Sequence, residues 1–180
     1  MTDLPAVPAP LACPDFALVV AMDEARGIGR DGDLAWRLPP DLKWFRAVTV
    51  GDGDQSVLMG RKTWDSIPAK FRPLPERHNL VLSRRANLDL PQGVGHVSSL
   101  EGALAVAAER GKATFVIGGG TLYAEALQHP RCRRVYLTKV QGKFGCDTFL
   151  APFSDEWRRS AELGGGEHQG IGYRFVQYDR

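Results

Sequence analysis

Short apolar runs alternate with amphipathic segments along the first 140 residues. The runs at 16–22, 56–60, 79–83, 114–117 and 134–140 have the length and apolar character of buried strands. Helical spacing predicts helices between them, at 40–50, 61–67, 100–110 and 121–127. Ser99 suits the N-cap of the third helix and Gly111 its C-terminal end, and a short strand is predicted at 96–98.

The alternation of strands and helices predicts a mainly parallel α/β sheet with flanking helices. Two further strands are predicted at 158–163 and 173–178, as a C-terminal antiparallel hairpin joined through residues 164–166, which are all glycine. Residues 23–35 carry three glycines and three aspartates and are predicted to form a long loop, of the kind that often closes over a site. A chain of 180 residues suits one domain.

The first fifteen residues contain four prolines and no basic stretch, so we expect a flexible tail at 1–15 ahead of a domain at 16–180. No apolar run approaches the ~20 residues that a membrane helix needs. A net charge of +2 is too small to favour nucleic acid. Cys13, Cys132 and Cys146 show no paired or metal-ligand spacing, and so predict reduced thiols, a cytoplasmic protein and no metal site.

Asp41 is the first candidate for chemistry. If residues 40–50 are helical, Trp44, Phe45 and Val48 share its face, so a carboxylate lies on an apolar surface. An acidic residue in the first turn often only stabilises the helix N-terminus, and from spacing alone this interpretation has about even odds. Otherwise a distant basic residue or a ligand must pair with the carboxylate.

Three strand-to-helix junctions suggest a phosphate-bearing cofactor. Residues 60–63, 83–85 and 118–121 carry small or basic residues, at the sheet edge where ligands bind. The dinucleotide fingerprint is incomplete, because Tyr123 stands where its third glycine would be, and a P-loop is absent. By itself the glycine triplet favours a tight turn; three such junctions together favour a nucleotide cofactor.

Arg72 and Arg77 bracket a rigid Pro-Leu-Pro turn. Such a pair can hold the carboxylate tail of a ligand, although two surface arginines are about equally consistent with the pattern. No arrangement of Ser, His and Asp or of Cys and His has catalytic spacing, so hydrolysis by a protein nucleophile has little support.

Taken in order, these segments resemble the dihydrofolate reductase family. The match runs from about Phe16 to Tyr178. A single segment would be weak evidence, but the whole set in this order is specific to the family. It consists of 19–23, 27–29, 34–45, 59–67, 72–79, 82–84, 117–120, 136–138 and 146–149. The resemblance implies an eight-stranded mixed sheet and reduction of 7,8-dihydrofolate to tetrahydrofolate with NADPH.

The resemblance also implies a set of substrate residues. Asp41 would bind the pterin's 2-amino group and the adjacent ring nitrogen, Thr138 would brace Asp41, and Trp36 would hold a water; these three form the predicted catalytic group. Arg77 would pair with the glutamate α-carboxylate, and Val19 and Ile117 would offer carbonyls to the pterin. The remaining predicted substrate residues are Val20, Leu42, Phe45, Ile67, Arg72, Leu74 and Tyr123.

The implied NADPH site covers the three junctions and the long loop. The phosphates, including the 2′-phosphate, would meet Arg61, Lys62, Thr63, Ser83 and Arg84, and Gly118 and Gly119 would be joined by a cis peptide. The other predicted cofactor residues are Ala21, Ile28, Gly29, Leu34, Gly60, Leu82, Ile117, Gly120, Thr121 and Leu122.

Two residues depart from the family pattern: Thr121 replaces a frequent basic residue near the phosphates, and Ala35 a frequent proline. The first weakens the prediction of NADPH over NADH, and the second predicts a more flexible loop. The mechanism we expect has Asp41, with a pKa raised by burial, polarise the pterin while a water delivers the proton.

The resemblance further implies a cytoplasmic monomer that binds dihydrofolate and antifolate-type inhibitors. Two alternatives are a reductase of the same fold acting on a pyrimidine of riboflavin synthesis, and a non-catalytic NADPH- or folate-binding module. The segment from Trp36 to Asp41 and the presence of Arg77 argue against the first.

Overall fold

Ten strands and four helices make up the fold in a computed structural model, which describes residues 3–180. The strands are β1 Phe16–Met22, β2 Gly27–Gly29, β3 Gln55–Gly60, β4 Arg77–Leu82, β5 Gly95–Val97, β6 Thr114–Val116, β7 Cys132–Val140, β8 Thr148–Phe149, β9 Arg158–His168 and β10 Ile171–Asp179. The helices are α1 Pro39–Val50, α2 Arg61–Ser66, α3 Leu100–Arg110 and α4 Gly120–Gln128, with a 3-10 turn at Ala69–Phe71.

Eight of these strands form one mixed sheet in the order β5-β4-β3-β6-β1-β7-β10-β9. The six strands from β5 to β7 pair in parallel, whereas β10 pairs antiparallel with both β7 and β9. The predicted fold class is therefore confirmed. Since the carboxyl ends of parallel strands meet at one edge, the junctions after β3, β4 and β6 lie at the same side of the sheet.

The helices cover both faces of the sheet. One hydrophobic core contains Leu18, Leu58 and residues of α3 and α4, and the other contains Val19, Met59 and Trp44 of α1. Neighbouring residues of β1 thus point into different cores, as the two-residue period of a strand requires. Two successive prolines begin α1. Ser99 caps the N-terminus of α3, and Gly111, in the left-handed conformation, ends that helix.

Two details differ from the sequence prediction. The loop at 23–35 contains β2, which pairs with β8 in a small separate sheet. The three glycines at 164–166 lie inside β9, and the hairpin turns at Gln169 and Gly170, both with positive φ. Glycine suits this part of β9 because neighbours approach closely: a Cβ on Gly165 would lie 2.4 Å from the Tyr173 carbonyl oxygen.

The segment before β1 contains no helix or strand in its described part, residues 3–15. It nevertheless contacts the domain, since Arg134 donates to the Ala9 carbonyl (2.9 Å) and Leu11 packs against the α1-side core. Pro5 lies against β9, 3.2 Å from where a Cβ on Gly164 would be. Within residues 3–180, no helix has the length and apolar character to cross a bilayer.

Candidate active site

A cavity of about 440 Å³ opens at the carboxyl edge of the sheet. It is lined by residues 33–38, at the end of the long loop, and by Asp41 and Leu42 in the first turn of α1. Leu34 and Leu42 are 46% and 54% exposed. Large exposed apolar side chains at the rim of a cavity are typical of a site that binds an apolar or aromatic ligand.

Asp41 lies buried at this cavity, with 8% of its surface exposed. Thr138 Oγ1 on β7 donates to Asp41 Oδ1 over 2.6 Å. Among residues 3–180, no basic group pairs with Asp41, and its side chain does not cap α1. Burial raises the pKa of Asp41 to about 6, although the Thr138 bond acts in the opposite direction. Of the interpretations left open by the sequence, a ligand partner therefore fits best.

Trp36 contributes a second buried polar group beside Asp41. Its side chain is buried, and its indole Nε1 has no hydrogen-bond partner within the described chain. A buried N–H normally has an acceptor, so this position suits a water or a ligand oxygen. Phe144 packs edge-on against the indole at 5.4 Å between ring centroids. Phe144 was not predicted, because a lone aromatic in a loop carries no sequence signal.

Tyr123 links α4 to the centre of the sheet. Its hydroxyl donates to the Val19 carbonyl over 2.7 Å, deep in the structure. Burial, and then the nearby Asp41 carboxylate, raise the pKa of Tyr123 above its usual value, so the hydroxyl keeps its proton. The Val19 carbonyl, predicted to face the pterin, therefore already accepts one hydrogen bond and keeps one lone pair for a ligand.

The predicted apolar wall is assembled on the same face of the sheet as Asp41. Phe45, Ile67, Leu74 and Ile117 are partly buried and pack against the α1-side core. Val20 and Leu122 instead point into the other core, so their side chains do not line the cavity. Val20 alternates with Val19 along β1 and therefore faces the opposite side of the sheet, whereas Leu122, predicted for the cofactor, lies on α4.

The two arginines of the Pro-Leu-Pro turn differ in their surroundings. Arg77 Nη1 donates to Thr49 Oγ1 (2.9 Å) and its guanidinium lies over the Phe45 ring. Burial, and then Arg46, lower the pKa of Arg77 to about 10, so it remains charged at neutral pH. Arg72 donates to the Trp64 backbone carbonyl (2.7 Å), and its guanidinium lies over the Trp64 indole ring. Arg77 is therefore better placed to meet a ligand carboxylate.

Beside this cavity, the glycines of the β6–α4 junction approach the start of α2. Gly60 N donates to the Gly118 carbonyl (2.8 Å), and the Gly118–Gly119 peptide is cis, as the resemblance implied. A Cβ on Gly119 would lie 3.3 Å from Thr63 Oγ1, and one on Gly120 would lie 2.9 Å from Thr148 Cγ2. Side chains are thus excluded from this part of the structure, which leaves backbone groups accessible to a ligand.

The surroundings of the glycines suit a phosphate-bearing molecule. Neither α2 nor α4 has a side-chain N-cap. Arg61, paired with Asp65 at 3.3 Å, stands at this junction together with Lys62, and Arg84 is exposed after β4. Free helix N–H groups and cations are the groups that bind phosphate in proteins. The residues present therefore fit a nucleotide cofactor.

Comparison with known proteins agrees with the fold and shows the family. The family model described as dihydrofolate reductase matches residues 15–180. A dihydrofolate reductase of Drosophila melanogaster is 40% identical over 172 residues, which are 89% of this chain and 94% of that protein. A dihydrofolate reductase of Heliothis virescens is 38% identical over 142 residues, which are 74% of this chain and 77% of that protein. The chain belongs to the dihydrofolate reductase family, a family of oxidoreductases.

A plant relative combines two named activities. A putative bifunctional dihydrofolate reductase-thymidylate synthase of Oryza sativa subsp. japonica is 44% identical over 169 residues. The match covers 86% of this chain and only 34% of the rice protein. The chain therefore spans about a third of that relative.

Proposed function

We propose that this protein reduces 7,8-dihydrofolate to 5,6,7,8-tetrahydrofolate with NADPH. The observation that carries the proposal is the buried Asp41 carboxylate, which faces the cavity with one hydroxyl partner and no cation within the described chain. A pterin presents an amino group and an adjacent ring nitrogen, which is a planar pair of donors that matches a carboxylate. Family membership supports the same reaction.

Asp41 binds and polarises the pterin in this mechanism. Thr138 fixes the orientation of the carboxylate, and Phe45, Ile67 and Leu74 provide apolar surface for the rings. Arg77, held by Thr49, meets the glutamate α-carboxylate of the substrate. The walls of the cavity exclude water around the reacting atoms and align the two rings.

NADPH, when bound, supplies the hydride. Gly118, Gly119 and Gly120 leave space for the cofactor, and Arg61, Lys62 and Arg84 provide cations for its phosphates. Thr63 and Ser83 add hydroxyls at the same sheet edge. The proton comes from a water at the loop, for which the unpartnered Trp36 Nε1 is a donor.

We further propose a cytoplasmic monomer whose dihydrofolate reductase domain is 16–180 and which binds small molecules, including antifolates. The three free cysteines support the compartment, because disulfides are rare in the cytosol.

Absorbance of NADPH during turnover with dihydrofolate tests the proposal, with NADH run in parallel. Asp41→Asn is expected to lower kcat/KM by about 100-fold or more at pH 7, since the amide presents a donor where the pterin needs an acceptor. Its Kd for NADPH should stay within about twofold of wild type. Glu109→Gln, which changes an exposed carboxylate on α3, is the matched control.

Other outcomes separate the alternatives. Turnover by Asp41→Asn at the wild-type rate would contradict the role of the carboxylate. Oxidation of NADPH only with a riboflavin-pathway pyrimidine would indicate the related reductase. Tight binding of NADPH without oxidation by either substrate would indicate a binding module.

A further inference from the structure

Asp23, directly after β1, is a buried carboxylate that the mechanism above does not use. Only 2% of its surface is exposed. Its Oδ1 accepts from the backbone N–H groups of Ala25 (2.9 Å) and Gly27 (2.8 Å). Its Oδ2 accepts from the backbone N–H of Phe144 (2.9 Å) and lies 3.7 Å from the Cys146 sulfur. One carboxylate therefore binds two segments that are more than a hundred residues apart.

These segments are the first loop, residues 23–36, and the second loop, residues 141–149. The first loop carries Leu34 and Trp36 to the cavity and places Ile28 beside Gly120. The second loop places Phe144 against the Trp36 ring and Thr148 beside Gly120. The relative position of the two loops thus sets the shape of both the candidate substrate cavity and the glycine junction.

The charge of Asp23 suits this arrangement. Burial alone would raise its pKa, but the hydrogen bonds from Phe144, Gly27, Ala25 and Cys146 outweigh burial and lower the pKa below its usual value. Within residues 3–180, no cation forms an ion pair with Asp23, so backbone dipoles and the thiol balance the charge. A deprotonated carboxylate accepts four hydrogen bonds, which a neutral amide cannot do.

The loops are also joined by backbone hydrogen bonds, from Glu24 N to the Gly142 carbonyl (3.0 Å), from Asp147 N to the Gly29 carbonyl (3.0 Å) and between β2 and β8. Their other side-chain hydrogen bonds are nearer to solvent. Asp31 N donates to Asp147 Oδ2 and Arg30 donates to the Phe144 carbonyl, and both bonds are exposed. Hydrogen bonds in water contribute less than those made away from it, because water competes for the same groups. Among the side-chain hydrogen bonds between the two loops, those of Asp23 are therefore the buried ones.

We propose that Asp23 is a positioning residue, which holds the first loop on the second and so keeps Trp36 and Ile28 in place for hydride transfer. This proposal deepens the proposed reduction of dihydrofolate and rests on it for its kinetic consequence. Its structural part, the connection between the loops, stands without the reaction.

Asp23→Asn tests the proposal with almost no change of shape. The retained oxygen can still accept from Ala25 and Gly27, but the new NH₂ group would face the Phe144 N–H, donor against donor. Only the side-chain link from Asp23 to the second loop is then lost, while the backbone bonds between the loops remain. Glu24→Gln makes the same chemical change one residue away, on an exposed side chain with no hydrogen bond in the described chain.

Two readouts are compared in Asp23→Asn, Glu24→Gln and wild type. Hydrogen exchange at the Phe144 amide is expected to rise about tenfold in Asp23→Asn, with less than about threefold change at Gly27. Single-turnover oxidation of NADPH by dihydrofolate should slow about tenfold while KM for dihydrofolate stays within about threefold, because alignment rather than binding is affected. Glu24→Gln should match wild type in both.

Unchanged exchange at Phe144, or a rate equal to that of Glu24→Gln, would overturn the role of Asp23. A wild-type protein that does not oxidise NADPH with dihydrofolate would instead refute the proposed function. The exchange rate at Phe144 would still test whether Asp23 connects the two loops. If Asp23→Asn does not fold, Cys146→Ala and Cys146→Ser replace it. Exchange at the Phe144 amide is expected to be faster in Cys146→Ala and to return toward the wild-type rate in Cys146→Ser. Identical exchange in both variants would overturn the proposal.

Discussion

Asp41 shows how much one residue's sequence position can predict. Its helical face was predicted from spacing, and the structure places Trp44 and Val48 in the core as expected. Its partner was outside the reach of local reasoning, since Thr138 lies 97 residues away on another strand. A buried carboxylate with a pKa raised to about 6 is costly to a folded protein, so this residue also affects stability.

The stability of the protein should depend on pH through Asp41. Because the folded pKa of about 6 lies above the unfolded value of 3.8, folding is favoured by this group below pH 3.8, and that contribution is lost as pH rises through about 6. The interval corresponds to about 3 kcal/mol. The free energy of unfolding of Asp41→Asn, minus that of wild type, should therefore be larger at pH 8 than at pH 4, by up to about 3 kcal/mol.

Urea unfolding of both proteins at the two pH values measures this difference. The comparison within each pH cancels the effects of the other titrating groups. An equal stability difference at pH 4 and pH 8 would show that Asp41 is not the buried acid described above.

At the scale of elements, the small sheet of β2 and β8 depends on close packing of a glycine. A Cβ on Gly27 would lie 2.4 Å from Cys146 Cβ and 2.5 Å from its sulfur. Hydrophobic patterns do not predict such an approach, because β2 and β8 are three and two residues long. The same limit explains why the sequence predicted only a loop here.

Gly27→Ala should destabilise the protein by about 1–3 kcal/mol, as expected for overpacking. In a Cys146→Gly background the same substitution should cost less than about 1 kcal/mol, because the two nearest atoms are absent and only Asp23 Oδ1, at 3.0 Å, remains close. Chemical denaturation of the four proteins of this double-mutant cycle measures the coupling. Purely additive losses would mean that Gly27 is required for another reason.

The C-terminal hairpin illustrates a related limit. Three successive glycines are the usual sign of a turn, and the sequence analysis placed the turn there. The structure instead uses them to let Pro5 and Tyr173 approach β9, and it turns at Gln169 and Gly170. Close approach and turning both need glycine, so composition cannot distinguish them.

At the scale of the whole molecule, residues 3–15 before β1 contact the domain, and the expected flexibility of the tail stays a prediction. Deleting residues 1–11 removes the Ala9–Arg134 bond and the packing of Pro5 and Leu11. We expect a loss of roughly 1–2 kcal/mol from the exposed apolar area, which corresponds to a fall in Tm of about 3–6 °C.

Calorimetry of the truncated and full-length proteins measures this change. Replacement of the exposed Leu4 and Val7 by serine is the control, and it should leave Tm nearly unchanged. A truncated protein as stable as the full chain would show that the segment does not contribute to the fold.

The sequence by itself determined the order and type of the main elements, the parallel sheet and the side of the sheet where ligands bind. These follow from periodicity and from glycine and proline positions, which are local properties of the chain. The ordered segments also carried the family. The family resemblance also implied the contact of Thr138 with Asp41. Tertiary structure alone showed that Tyr123 meets Val19, Phe144 meets Trp36, and Asp23 meets the second loop. Such contacts depend on how segments distant in sequence pack against each other, and no local sequence pattern specifies that packing.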